Sequence, residues 1–329
     1  MIAVGVIANP ASGRDIRRLV AHGSVFDNDE KVSMVRRLLL GLAAVGVERI
    51  SIMPDSFAIG PKALDGVHVD AEVCIEPMPV TFGQGDSTLA AARMAEAGVG
   101  CIVTLGGDGT NRAVAKASGT VPLLPISTGT NNVFPVMVES TVAGLAAGLV
   151  ARGMVPDAVR RVPRLDITVD DGASDLALVD AAVYDERFVG ARAVWAVDRI
   201  RQLVLSRAVP GAIGLSAIGA HLAPEIPDGW GLVLELGEDG ERVLAPVAPG
   251  VVTTVGVRLA TPLAPESEVT FVPPAACVLA LDGERELPLR AARPVRLRLN
   301  PVGPFVVDVN RALTIATSAH LFSANGLPH

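Results

Sequence analysis

The chain opens on IAVGVIAN (2–9), a continuous apolar run halted by Asn-Pro, which is the pattern of a strand buried on both faces. The next stretch, 27–46, starts with acids, repeats Val32, Val35, Leu38, Leu39 and Leu42 at helical spacing and stops at Gly46, so it predicts a helix. Strand-like runs then recur at 49–54, 71–79, 101–105 and 121–127, with helical patterns at 85–100 and 111–118 between them. This alternation predicts a Rossmann-like α/β domain, a parallel sheet covered on both faces. Ligands in such sheets bind beyond the carboxyl ends of the strands. From about residue 160 the period changes to short alternating runs cut by Gly, Asp and Pro, which predicts a mainly antiparallel β-sandwich. A helical pattern at about 190–206 interrupts it, and the final RALTIATSAHLF (311–322) is placed to return to the first domain. The expected division is therefore 1–150, 151–310 and a tail of 311–329.

Composition sharpens this picture at three points. A length of 329 residues, half of them hydrophobic, supports about two domains with sizeable cores. A net charge of −7 argues against a constitutive nucleic-acid or anionic-membrane surface. Cys74, Cys101 and Cys277 stand far apart with no CxxC spacing, so three buried free thiols are expected rather than a metal cage or disulfide framework. The N-terminus reads as a first strand and not a signal peptide. The uncharged stretches 117–138 and 208–224 are too broken or too short to span a membrane. A soluble, cytoplasmic protein is the expectation.

The chemistry-bearing residues cluster at the predicted strand ends. NPASGRDIRR (9–18) ends a strand with Asn9 and Pro10, opens a loop at Ser12-Gly13 and supplies Arg14, Arg17 and Arg18 on one face if it is helical. It fits either a routine strand–helix turn or a phosphate-facing loop. LGGDGTNR (105–112) sets Asp108 among Gly106, Gly107 and Gly109, where a strand hands over to a helix. It is neither a Walker A loop nor a dinucleotide fingerprint, and taken alone it also fits an Asx turn. STGTNN (127–132) offers more donors than a turn needs, through Thr128, Gly129, Thr130, Asn131 and Asn132.

NPASG, GGDGTNR and STGTNNVFP, in this order, resemble the ATP-NAD kinase and diacylglycerol kinase superfamily, and within it the AcoX-like branch. GAIGLSAIGA (211–220), LAPVAPG (244–250) and LALDGE (279–284) are similar to segments of the NAD kinase second domain. The resemblance implies an ATP-dependent, Mg²⁺-assisted phosphotransferase in which Asp108 acts at the acceptor hydroxyl, as general base or as organiser of hydroxyl and metal. No direct protein ligand to the metal other than Asp108 is implied. The glycines would let backbone approach the nucleotide phosphates. Thr110, Asn111, Thr128, Gly129, Thr130, Asn131 and Asn132 become candidate phosphate and ribose contacts, and Asn9, Ser12 and Gly13 the other end of the triphosphate. Relatives assemble as homodimers or tetramers, so a homo-oligomer binding a nucleotide and a small molecule is expected.

Two departures bear on the acceptor. The Asn-Glu pair of NAD kinases is missing from LALVDAAVYDERF, which has Asp180 instead, and their Thr-Ala-Tyr contacts are replaced by Ala212, Ile213 and Gly214. Asp180 reads equally as a hydroxyl ligand or a strand-end acid, and Ser216 is a weaker substrate candidate. Asp282 and Glu284 read as a β-turn, and Trp195 as core or interface. His22 and His221 lack spaced partner ligands. NAD is the default acceptor. The alternatives are another hydroxylated metabolite or polyol, a lipid, which the lack of a basic or amphipathic membrane face disfavours, and a non-catalytic nucleotide-binding regulator.

Overall fold

The computed structural model describes residues 1–12, 22–24, 26–170, 172–185, 197–223 and 226–323. Strands β1 (Ala3–Ala8), β2 (Arg49–Ile52), β3 (Glu72–Ile75), β4 (Cys101–Gly106) and β5 (Leu123–Ser127) alternate with helices α1 (Asn28–Ala44), α2 (Ile59–Leu64), α3 (Gly85–Glu96), α4 (Asp108–Ala115) and α5 (Ser140–Ala151). The strands are parallel, in the order β3-β2-β1-β4-β5. The acids that open α1 are its start signal: the Asp27 carboxylate caps the Glu30 N–H at 2.7 Å. Leu38, Leu39 and Leu42 of α1 are fully buried with Ala143, Ala146 and Ala147 of α5. Each leucine contributes about 1.5–3 kcal/mol through the area it removes from water.

Two strands that follow residue 150 extend this sheet. β6 (Val159–Arg161) is antiparallel to β17 (Phe305–Val307), which lies parallel beside β5. The last helix, α7 (Val309–Ser318), then packs on α5, burying Val309, Ala312 and Ala316 in the first domain's core.

The intervening chain builds two antiparallel sheets. β7 (Arg164–Val169), β8 (Ser174–Ala177), β9 (Asp180–Tyr184), β10 (Ile200–Leu205), α6 (Ser216–Leu222), β11 (Gly231–Ala248), β12 (Val251–Leu263), β13 (Glu268–Phe271), β14 (Cys277–Leu281), β15 (Glu284–Leu289) and β16 (Val295–Asn300) follow in sequence. A six-stranded sheet runs β12-β11-β10-β9-β14-β15, and a four-stranded one β13-β16-β7-β8. Their facing side chains form one core, including Leu165, Ile167, Val183, Val204, Leu279, Leu297 and Leu299, so the predicted sandwich is present. Helix α6 covers the other face of the larger sheet.

The helix expected at about 190–206 is, over its described part, a single 3-10 turn (Val197–Arg199) that leads into a strand. Residues 200–205 form strand β10, in the middle of the larger sheet. Leu203 and Leu205 face the α6 core and Val204 the sandwich core, and a strand buried on both faces mimics helical spacing. Residues 186–196, with Trp195, lie outside the described part. A third core joins the two parts of the molecule: Met94, Ile102 and Val114 pack with Leu176, Leu178 and Val179. The loops beside that core carry the unusual residues.

Candidate active site

Three connections meet at the carboxyl ends of β1, β4 and β5. The loop after β1 is fastened from below by Lys31 of α1, a buried residue whose ammonium donates to the Asn9 and Ser12 carbonyls at 2.9 Å each and to Asn28 Oδ1 at 3.2 Å. It also ties to the other two loops. Asn9 Nδ2 donates to Thr110 Oγ1 at 2.9 Å, and the Ser12 and Thr128 hydroxyls lie 3.0 Å apart. Thr130 is bonded in both directions to Ser24, through the Ser24 N–H to Thr130 Oγ1 (2.9 Å) and the Thr130 N–H to the Ser24 carbonyl (3.1 Å). Asn9, Ser12, Thr110, Thr128 and Thr130 are therefore brought together, with hydroxyls and amide spent largely on joining one loop to the next. Gly13, Arg14, Arg17 and Arg18 lie outside the described residues.

Helix α4 begins at Asp108 itself, earlier than the sequence pattern indicates, with Gly107 as the extended residue before it. The half-buried Asp108 carboxylate turns across to the third loop. Its Oδ1 accepts the Phe134 N–H at 2.7 Å, and both oxygens lie 3.1 Å from the Val133 nitrogen. This fastening fixes the carboxylate at the point where the three loops meet.

The glycines around Asp108 make room for the protein's own side chains. A Cβ on Gly106 would stand 2.6 Å from Thr110 Cβ, one on Gly107 2.7 Å from Asn132 Oδ1, and one on Gly109 3.0 Å from Glu284 Oε1. That clearance is used within the protein. Two other candidates are buried within the fold. Asn111 is fully buried, accepting from Thr104 Oγ1 at 2.5 Å and donating to the Gly107 carbonyl at 2.9 Å, so its amide braces the turn from within. Ser216 is also fully buried, 3.4 Å from the Ile213 carbonyl at the start of α6. Asn132 donates to Ser127 Oγ at 2.8 Å and holds the third loop's curve around Gly129, with the neighbouring Asn131 half-buried.

The second domain contributes its acids through one turn. Asp282 and Gly283 both take left-handed backbone, φ 51° and 74°, as a two-residue hairpin between β14 and β15 requires. The buried Asp282 carboxylate accepts the N–H groups of Leu178 (3.0 Å) and Val179 (2.8 Å) and lies 3.7 Å from Nε of Arg112, which is itself fully buried on α4. Arg112 also pairs with Asp175 at 3.4 Å. Burial pushes the Asp282 carboxyl up from its ordinary range, against the pull of Arg112 and the backbone N–H groups. Asp180 is buried beside this turn, its Oδ1 accepting the Gly283 N–H at 3.3 Å. The hairpin is thus the turn the sequence predicts, and it does two things the sequence did not disclose: it locks α4 to the second domain and sets the Glu284 carboxylate over Gly109. The motif LDGE was the available signal.

The loop fastenings reach further. The tip of the β11–β12 hairpin touches the first domain where the Pro249 carbonyl accepts the His22 N–H at 3.0 Å. Cys101 and Cys277 are buried, their thiols pushed up by burial to about 12 and about 11, whereas Cys74 is half-buried. Among the described residues no three His, Cys, Asp or Glu side chains cluster as a metal cage, and no helix is long and apolar enough to cross a membrane.

With this geometry in place, similarity to known proteins is informative. Residues 4–154 match the ATP-NAD kinase N-terminal domain, and 163–302 the acetoin catabolism protein X C-terminal domain. Acetoin catabolism protein X of Cupriavidus necator is 41% identical over 337 aligned positions, covering 97% of this chain and 93% of that one. The chain belongs to the acetoin catabolism protein X family. Two solved structures of a candidate diacylglycerol kinase from Bacillus anthracis str. Sterne share 14% identity with it at a TM-score of 0.48, over 93% of this chain and 96% or 97% of theirs. The first half of this family member thus carries the domain of NAD kinase-type phosphotransferases, and the LDGE turn that docks on it lies in the family-specific second half.

Proposed function

We propose that this protein transfers a phosphoryl group from ATP to the hydroxyl of a small molecule, releasing ADP and the hydroxyl proton. The observation that carries the reading is the placement of Asp108 at the head of α4, where the three loops of an ATP-NAD kinase-type domain converge. In-line phosphoryl transfer asks for an oriented hydroxyl and a neutralised polyphosphate rather than covalent help. The Asp108 oxygens, held in place by the Val133 and Phe134 N–H groups, orient that hydroxyl and accept its proton. Glu284, whose carboxylate lies over Gly109, is the second carboxylate near this turn. The loops at Ser12 and at Thr128 to Asn132, with the first N–H groups of α4, bind the triphosphate.

The residues present fit a Mg²⁺ ion of the usual phosphotransferase kind, held by one carboxylate and the substrate's own phosphates. Asp108 would be its protein ligand, and the ion would neutralise charge between the β- and γ-phosphates.

NAD is the first acceptor to test. The burial of Asp180 and the apolar Ala212 and Ile213 favour a smaller hydroxylated metabolite or polyol as the alternative, in keeping with a relative named for acetoin catabolism. Incubation with ATP, Mg²⁺ and NAD, followed for NADP, decides the first acceptor. ADP release that depends on a metabolite fraction but not on NAD selects the alternative. Saturable ATP binding with no ADP release under either condition overturns the kinase reading and leaves a nucleotide-binding regulator. We place the protein in the cytoplasm and expect a homo-oligomer, checked by fractionation and by light scattering.

A further inference from the structure

We propose that Arg207 recognises an anionic group on the acceptor, so that the molecule phosphorylated here carries a carboxylate or phosphate beside its hydroxyl. This rests on the phosphotransfer reading above. Arg207 lies two residues beyond the end of β10 and is half-buried. Its guanidinium lies over the Phe134 ring, 5.3 Å from the centroid, and Nη2 donates to the Leu178 carbonyl at 3.3 Å, a long bond. Phe134 is the residue whose N–H holds Asp108, so the guanidinium sits one side chain away from the proposed reaction centre.

Its charge is poorly met by the protein. Nε is buried with no acceptor among the described residues, and an unmet donor on a charged group costs free energy. The neighbouring carboxylates are engaged elsewhere: Asp108 with the Val133 and Phe134 N–H groups, Asp282 with the β8–β9 backbone and Arg112. The charge felt most strongly by Arg207 is a second cation, Arg160, ahead of the attraction from Asp108 and Asp282. Arg160 is exposed on β6. Burial pushes the Arg207 guanidinium down to about 10, which leaves it cationic at neutral pH. A planar fork with an unmet donor, beside another cation and next to the acid that handles the acceptor, suits a carboxylate or phosphate.

The test is calorimetric titration of the full chain, as wild type, Arg207→Gln and Arg207→Lys, with glycerate, glycerol 3-phosphate and glycerol, and separately with ATP. The expected result is that an anionic probe binds the wild type at least about tenfold tighter than glycerol, loses that margin in Arg207→Gln and keeps part of it in Arg207→Lys. Anionic probes that bind the wild type and Arg207→Gln equally, or no tighter than glycerol, overturn the proposal. If Arg207→Gln does not fold, phenylglyoxal labelling of Arg207 in the wild type takes its place. Slowing of that labelling by glycerate or glycerol 3-phosphate but not by glycerol supports the proposal, and labelling indifferent to all three overturns it. The titrations separate the two readings. ATP binding with Arg207-independent probe affinity removes the anion site alone, whereas Arg207-dependent anion binding without any ATP affinity removes the phosphotransfer reading.

Discussion

Of the aspartate–glycine steps in this chain, two lie where the two domains meet, and their fates differ. Asp108-Gly109 opens helix α4 in the first domain, and Asp282-Gly283 closes the β14–β15 hairpin in the second. Both carboxylates accept backbone N–H groups from another segment: Asp108 from Val133 and Phe134, Asp282 from Leu178 and Val179. The difference is solvent. Asp282 is buried and compensated by Arg112, so its lone pairs are committed to the fold. Asp108 is half-buried where the three loops meet. Backbone fastening is thus common to both acids, and their degree of burial separates them.

Breaking the committed acid has the largest expected effect. Asp282→Ala leaves the buried Leu178 and Val179 N–H groups without their acceptor and takes one carboxylate from buried Arg112, and should lower stability by about 3–5 kcal/mol in denaturant unfolding. A loss under 1 kcal/mol would show that the clamp between α4 and the second domain is dispensable. Asp108→Asn keeps an acceptor for the Phe134 N–H while removing the charge. It should therefore fold normally yet lose roughly 10²–10⁴-fold in turnover, with ATP affinity little changed. Full turnover would reduce Asp108 to a fastener of the same kind as Asp282. Glu284→Gln sharpens the division of labour between the two carboxylates. A fall of about tenfold or more in kcat with unchanged unfolding places Glu284 in proton transfer, and an unchanged kcat leaves that role to Asp108 alone. The smallest effect is expected at the loop junction, where Thr128→Val removes the hydroxyl facing Ser12 and should cost about 1 kcal/mol in thermal unfolding.

The alternation of apolar runs determined the parallel sheet, and the change of period near residue 160 determined the antiparallel sandwich, because burial on one or both faces leaves a direct imprint on hydrophobic spacing. The same logic misread 200–205, since a strand buried on both faces imprints no alternation. The three polar loops were legible as a group, because glycine, asparagine and hydroxyl residues at strand ends are what a βα crevice needs. Their individual roles were not. Asn111 looks like a ligand contact in sequence and is an internal brace, and the glycines leave clearance that Thr110, Asn132 and Glu284 occupy.

Sequence by itself determined which segments would fold locally and which residues carried chemistry. Only tertiary structure decided which of those residues spend their hydrogen bonds on the protein and which have any left. Lys31 beneath the first loop, Arg112 bridging to Asp282 and Arg207 over Phe134 all depend on partners 19 to 170 residues away. The physical reason is range: helical and strand periods are set by neighbours along the chain, whereas the partner of a buried charge is chosen by packing between distant segments.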